Sequence, residues 1–121
     1  PGVHDPAGRY SHAAVATGVS RWAVLSGQAG TRPDGTVPAD TKAQCEQALA
    51  NLLTILWSQN LGPESIAKLT VFLTDPADIP VWRAARSAAL GQAGPPASTL
   101  LIVAGLASPQ FKVEVEAIAC G

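Results

Sequence analysis

Charged residues are scarce in this chain of 121 residues. Asp, Glu, Lys and Arg make up 14% of it, against roughly 25% in an average soluble domain. Eight basic residues nearly balance nine acidic ones, and Lys and Arg form no cluster. Because binding to a phosphate backbone depends on clustered Lys and Arg, the sequence argues against a nucleic-acid partner. Apolar residues reach 47%, which favours self-association as a way to bury them.

Cysteine and long apolar runs are also scarce. Cys45 and Cys120 lie far apart, without the close spacing typical of zinc sites or redox motifs, so neither a disulfide framework nor a metal site is expected. We interpret Cys45 as a helix core residue and Cys120 as the end of a strand. No secretory apolar region opens the chain, and no apolar run reaches the ~18 residues of a membrane span. These absences predict a cytoplasmic protein with no membrane partner.

The positions of Pro and Gly indicate one compact domain over residues 1–121. Residues 1–9 are rich in turn formers and are interpreted as a leader. Strands are predicted at Tyr10–Thr17 and Trp22–Gln28, and the short connection between them favours a hairpin. A helix follows with Thr41 as its N-cap, because Thr41 and Gln44 fit a capping box.

The remaining segments alternate between strand and helix patterns. The first helix is predicted to end near Asn60, before Gly62 and Pro63. The elements after it are a strand at Lys68–Thr74, a helix capped by Asp78 and ending before Gly91, and strands at Ser98–Gly105 and Phe111–Ala119. The resulting order, ββ-α-β-α-ββ, predicts an α+β domain with a mixed sheet and two helices on one face. The other sheet face is then open and partly apolar, which suits self-association.

Two carboxylates interrupt the apolar run of the last predicted strand. Glu114 and Glu116 share one face, about 6–7 Å apart along the strand, while Val113 and Val115 point to the other. A carboxylate in such a place can orient or activate a water molecule as a general base. The alternative is that both glutamates decorate a solvated face, with Lys112 as a neighbouring cation.

Four segments together resemble the Rid family, also called YjgF or L-PSP-type. They are SGQ after the second predicted strand, QALANL in the first helix, VFLTD at the end of the third strand, and VEVEAIA at the end. The resemblance covers the chain from about Gly8 to Ala119. It implies a chorismate-mutase-like fold and a homotrimer with three intersubunit clefts. It also implies hydrolysis of enamine/imine intermediates to 2-keto acids and ammonia, without metal or cofactor. The resemblance leaves two other functions open, which are endoribonuclease activity and ligand binding without catalysis.

The resemblance also assigns candidate site residues. It implies that Tyr10, Ser26 and Gly27 line the cleft and that Glu114 orients the attacking water. The family's deaminases carry an arginine that clamps the substrate carboxylate, and Ser98 stands at that position here.

A serine offers neither the charge nor the bidentate geometry of arginine, so an altered substrate is expected. Ser98 and the adjacent Thr99 are then expected to contact that substrate. Arg83, where the deaminases have an asparagine, is a further substrate-binding candidate. Arg9, Arg83 and Arg86 could compensate for the missing arginine; the alternative for the last two is an exposed helix face.

Pro1 raises a separate possibility. A mature N-terminal proline can act as a secondary-amine base, as in small trimeric tautomerases, which place it at the head of a buried strand. Here Gly2 and a turn-rich segment follow it, which argues against that role.

Overall fold

The structure, a computed structural model, describes residues 2–91 and 93–121. The interpretation of Pro1 as a base therefore lies outside the described residues. Within these residues the structure has two α-helices and four strands, together with two single-turn 3-10 helices. In chain order the α-helices and strands are β1 (Trp22–Ala29), α1 (Thr41–Ser58), β2 (Ile66–Leu73), α2 (Ile79–Leu90), β3 (Ala97–Ile102) and β4 (Val113–Cys120).

The four strands form one mixed sheet in the order β1-β4-β2-β3. β4 runs antiparallel to both of its neighbours, whereas β2 and β3 are parallel. A parallel pair needs a crossover connection, and α2 supplies it between β2 and β3. The predicted mixed α+β sheet is confirmed.

The predicted strand at Tyr10–Thr17 is absent, so the hairpin prediction was wrong and the sheet has four strands rather than five. Only Ser11 pairs with the sheet, through a bridge to Ala97 on β3, while the predicted hairpin partner β1 lies at the opposite edge. The Ser11 backbone N–H donates a hydrogen bond to the carbonyl of Pro96 at 2.9 Å. The segment is rich in alanine, which has a low strand propensity and little side chain to pack against a neighbouring strand.

Both helices pack against one face of the sheet, as predicted. Each strand sends alternate side chains into that core, and α2 adds Trp82, which is 2% exposed. The strand residues with the lowest exposure are Leu69, Val71, Leu73, Val113, Val115 and Ala119. The opposite face carries exposed apolar side chains, including Trp22, Val24 and Ile118.

The N-cap of α1 is Asp40 rather than Thr41. The Asp40 carboxylate accepts a hydrogen bond from the Ala43 N–H at 3.1 Å, and Thr41 is the first helical residue. Asp78 occupies the N-cap position of α2 without a side-chain bond to the helix, and Gly91 follows the helix as predicted. Asp and Thr are both preferred N-cap residues and stand side by side here, which explains the error of one residue.

Candidate functional site

The structure distributes the predicted site residues between the two faces of the sheet. Tyr10, Arg83 and Ser98 line one cavity of about 280 Å³, on the helix-covered side. Glu114 lies on the open face against Gly27. The predicted residues therefore form two groups within one chain rather than a single site.

The cavity lies between the leader, α2 and β3. Trp82 is its most deeply buried wall residue, and Leu100 lines it beside Ser98. The complete lining is His4, Asp5, Pro6, Ala7, Arg9, Tyr10, Trp82, Arg83, Arg86, Ser98 and Leu100. Six of these eleven residues come from the leader and Tyr10, so the leader contributes about half of the wall.

Three aromatic side chains hold the leader over the cavity. The His4 imidazole is hydrogen-bonded to the Tyr10 hydroxyl, and His12 Nε2 donates to the His4 carbonyl at 2.6 Å. The rings pack edge to face, with 4.9 Å between the centroids of His4 and His12. Sequence reasoning missed this cluster, because its contacts join positions that no local pattern relates.

Positive charge dominates the cavity wall. Arg9, Arg83 and Arg86 line it, and Asp5 is the only acidic residue among its described lining residues. Arg86 donates to the carbonyl of Arg9. The pKa of Arg86 is lowered, first by burial and then by repulsion from Arg83 and Arg9.

Ser98 and Thr99 point to opposite faces of the sheet, because successive strand side chains alternate. Ser98 lies in the cavity wall and is half-buried. Thr99 is on the open face, where its hydroxyl accepts a hydrogen bond from Lys68 Nζ at 2.7 Å. The two neighbours predicted to contact substrate together are thus separated by the sheet itself.

Glu114 is held beside a bulge in β1. The pairing of β1 with β4 shifts between Leu25 and Gln28, which leaves Ser26 and Gly27 in the irregular segment. A Cβ atom on Gly27 would lie 2.5 Å from Glu114 Oε2, so glycine is what allows the carboxylate to occupy this place. Glu114 and Glu116 both face away from the core, as the alternation of the strand predicted.

A buried glutamine fixes the entry to β4. Gln44 on α1 is fully buried, and its Nε2 donates to the carbonyls of Pro38 and Gln110 at 2.8 and 2.9 Å. Its Oε1 accepts from the Lys112 N–H at 2.9 Å. Three bonds from one side chain thereby position the strand that carries Glu114. From the sequence alone, Gln44 is recognisable only as part of a helix cap.

Other chemical groups are placed away from these two regions. Within residues 2–91 and 93–121, no cluster of three His, Cys, Asp or Glu side chains is arranged to hold a metal ion. Burial, helped by nearby carboxylates, raises the pKa of the Cys45 thiol to about 12, so this cysteine is a poor nucleophile. In the part of the chain that the structure describes, no helix is both long and apolar enough to cross a membrane.

Comparisons with known proteins agree with this architecture. The 2-iminobutanoate/2-iminopropanoate deaminase of Escherichia coli K12 is 37% identical over 99 residues, which span 79% of this chain and 77% of the enzyme. Among solved structures, the conserved Rid-family protein YyfB of Yersinia pestis superimposes with a TM-score of 0.88 at 29% identity, covering 99% of this chain and 94% of the other.

A second solved structure is Escherichia coli TdcF with bound serine. It matches with a TM-score of 0.80 at 31% identity and covers 100% of this chain and 92% of that chain. The family model described as Endoribonuclease L-PSP matches residues 3–120. The chain therefore belongs to the endoribonuclease L-PSP family, which is also known as the Rid or YjgF family.

Proposed function

We propose that this protein hydrolyses a small, negatively charged imine or enamine in clefts between the subunits of a homotrimer, without metal or cofactor. The observation that carries the proposal is the cationic cavity, which gathers Tyr10, Arg83 and Ser98 around a space suited to a small molecule. The curated relative at 37% identity is itself named as an imine deaminase.

The reaction needs an oriented water molecule and a held substrate. Water adds to the imine carbon and one of its protons passes to nitrogen, which gives a carbinolamine. The remaining hydroxyl proton then passes to the same nitrogen as the C–N bond breaks, leaving a ketone and ammonia. In this proposal the Glu114 carboxylate orients the water and accepts its proton. Tyr10 and Ser98 contribute hydroxyl groups to the substrate, and the cavity arginines bind its carboxylate.

The cleft is proposed to lie between subunits because one chain does not unite the two groups. Glu114 is absent from the cavity wall and lies on the open sheet face instead. That face carries exposed apolar side chains, which suit a contact with another copy of the chain. A neighbouring subunit would then bring its own Glu114, Ser26 and Gly27 to this cavity.

The test compares two carboxylates on the same strand. Glu114→Gln is expected to reduce kcat for ammonia release by about 10²–10⁴-fold, since it removes the general base while keeping shape. Glu116→Gln is the matched control and is expected to stay within a few-fold of wild type. The substrates are imino acids generated in the assay by an amino-acid oxidase. An undiminished rate in Glu114→Gln would reject the hydrolase.

A second candidate is a binding module that performs no chemistry. The expectation that Ser98 stands where the family's deaminases carry an arginine favours this alternative, and the related TdcF was crystallised with bound serine. A ligand that raises the Tm yet is never converted would support binding alone. RNA cleavage is not proposed, because the near-neutral chain offers no cluster of Lys and Arg in sequence.

A further inference from the structure

The three arginines around the cavity are more numerous than a single carboxylate requires. Arg83 and Arg86 lie on α2, three residues apart, which places their side chains on one side of the helix. Arg9 comes from the leader and lines the same cavity. Residues at this helix spacing are neighbours, so the two guanidinium groups repel one another, and a bound anion would relieve this repulsion.

The acidic side chain at the cavity does not cancel this charge. Asp5 already accepts a hydrogen bond from the Ala7 N–H at 2.8 Å. Counting Asp5 as −1 against three guanidinium groups leaves an excess of two positive charges among the described lining residues. The Glu114 carboxylate that a neighbouring subunit brings to the cavity under the proposed function would compensate one of these charges. One carboxylate of a ligand forms a bidentate pair with one guanidinium, so three arginines leave partners for a second carboxylate.

The hydrogen-bond geometry points in the same direction. A guanidinium carries five N–H donors, and Arg86 uses its Nη1 toward the Arg9 carbonyl. Donors on Arg86 therefore remain for a ligand, as does the guanidinium of the exposed Arg83. Carboxylates match such donors in a bidentate arrangement. The part of the cavity formed by one chain holds about 280 Å³, which suits a small ligand.

We infer that the cavity selects a short dicarboxylic substrate, a 2-imino diacid hydrolysed to a 2-keto diacid, with Arg83, Arg86 and Arg9 holding its two carboxylates. This inference depends on the proposed function in one respect only, namely that the substrate carries an imine group. Ser98 then serves as a neutral contact, while α2 and the leader supply the cationic groups. The second carboxylate, rather than the reacting carbon, distinguishes this substrate from imino acids with a single carboxylate.

Binding of keto acids, which have no imine group to hydrolyse, tests this selectivity separately from catalysis. Calorimetry would compare 2-oxoglutarate and oxaloacetate with 2-oxobutanoate, which lacks the second carboxylate. The diacids are expected to bind at least ~10-fold more tightly, as one additional charge-assisted pair implies. Arg83→Gln is expected to remove most of this preference, and Arg86→Gln to do the same if it folds.

Arg32→Gln is the matched control, since it deletes the same charge from an exposed loop residue that bonds to Thr36. It should leave the preference for diacids intact. Equal binding of monoacids and diacids, or an equal effect of Arg32→Gln and Arg83→Gln, would overturn the inference. Diacid-selective binding without ammonia release from imino diacids would support the inference and reject the hydrolase, so the two failures are distinguishable.

Discussion

The Glu114 side chain packs over Gly27, where there is no room for a Cβ atom. A methyl group at residue 27 would overlap the end of the Glu114 side chain, 2.5 Å from Oε2 and 2.8 Å from Cδ. The end of a flexible side chain can move at little cost to the fold. The carboxylate would therefore be displaced from its position while the protein remains folded.

Gly27→Ala is accordingly expected to lower kcat for imine hydrolysis about tenfold or more, with a small change in Tm, since small displacements of a catalytic group can be costly. Gly105→Ala is the matched control, because a Cβ there meets nothing within 4 Å. Steady-state ammonia release and thermal melting would be measured on both variants. Equal kcat values for the two would show that the contact has no catalytic role.

Because of Cys45, the free energy of unfolding is expected to depend on pH in the alkaline range. Its pKa in the folded protein is about 12, raised first by burial and then by Asp78, Asp40 and Glu46, whereas an unfolded cysteine ionises near ~8.5. Above that pH the unfolded chain loses a proton that the folded chain keeps. The thiol's contribution is complete below about pH 8.5 and is lost as the pH rises toward 12.

Cys45→Ala should therefore start less stable than wild type at pH 7, since it leaves a small cavity. The difference in unfolding free energy between the two should then narrow from pH 8 to pH 11. Urea titrations at a fixed protein concentration measure it. In a Cys120→Ala background, Cys45 should also resist thiol reagents until the protein unfolds. A pH-independent difference, or rapid labelling of the folded protein, would contradict this account.

At the scale of elements, Gln44 joins α1 to the segment that enters β4. Gln44→Leu keeps similar volume but leaves the Lys112 N–H and two carbonyls without their partner. Each buried polar group left unsatisfied costs about 1–3 kcal/mol, so a loss of roughly 3 kcal/mol in unfolding free energy is expected.

Gln47→Leu is the control for this substitution, because Gln47 is half-buried on the same helix and bonds only to Asn51 in the contacts described. It should cost less than 1 kcal/mol. Chemical denaturation of both variants at one protein concentration provides the comparison. Similar losses would mean that the three bonds of Gln44 contribute little to stability.

Element prediction from sequence succeeded where side-chain periodicity was strong. Both helices and the strands with regular alternation, such as β4, were found at nearly their observed bounds. The segment at residues 10–17 was misread because its alternation is carried by small side chains, and its one bridge to the sheet reaches Ala97. A local pattern does not encode so distant a partner.

The candidate site was predictable to a similar degree. Alternation correctly placed Glu114 outside the core, and the same alternation puts Ser98 and Thr99 on opposite faces of β3. The cavity itself could not be predicted, because its wall depends on His4 contacting Tyr10 and on Arg86 contacting Arg9. Those contacts follow from tertiary packing rather than from spacing.

At the scale of the whole molecule, the open sheet face remains to be explained. Val24 is 77% exposed, Trp22 58% and Leu101 44%, and all three point away from the helices. Apolar side chains grouped on one face are typical of an interaction surface. Association through this face would cover them and would let Glu114 of one subunit approach the cavity of another.

An intersubunit site can be tested by mixing two inactive variants. Arg83→Ala would disable the cavity, and Glu114→Gln the carboxylate of the open face. Neither variant alone should release ammonia efficiently. Coexpressed with different tags and purified as mixed assemblies, they should recover activity, because some clefts then receive both intact groups. Random mixing in a cyclic trimer would restore about a quarter of the clefts.

Coexpression of Glu114→Gln with Gly27→Ala is the control, since both changes disable the same half of the cleft and no combination restores it. If the first pair recovers no more activity than this control, each site lies within a single chain, and Glu114 acts on the cavity of its own subunit or not at all.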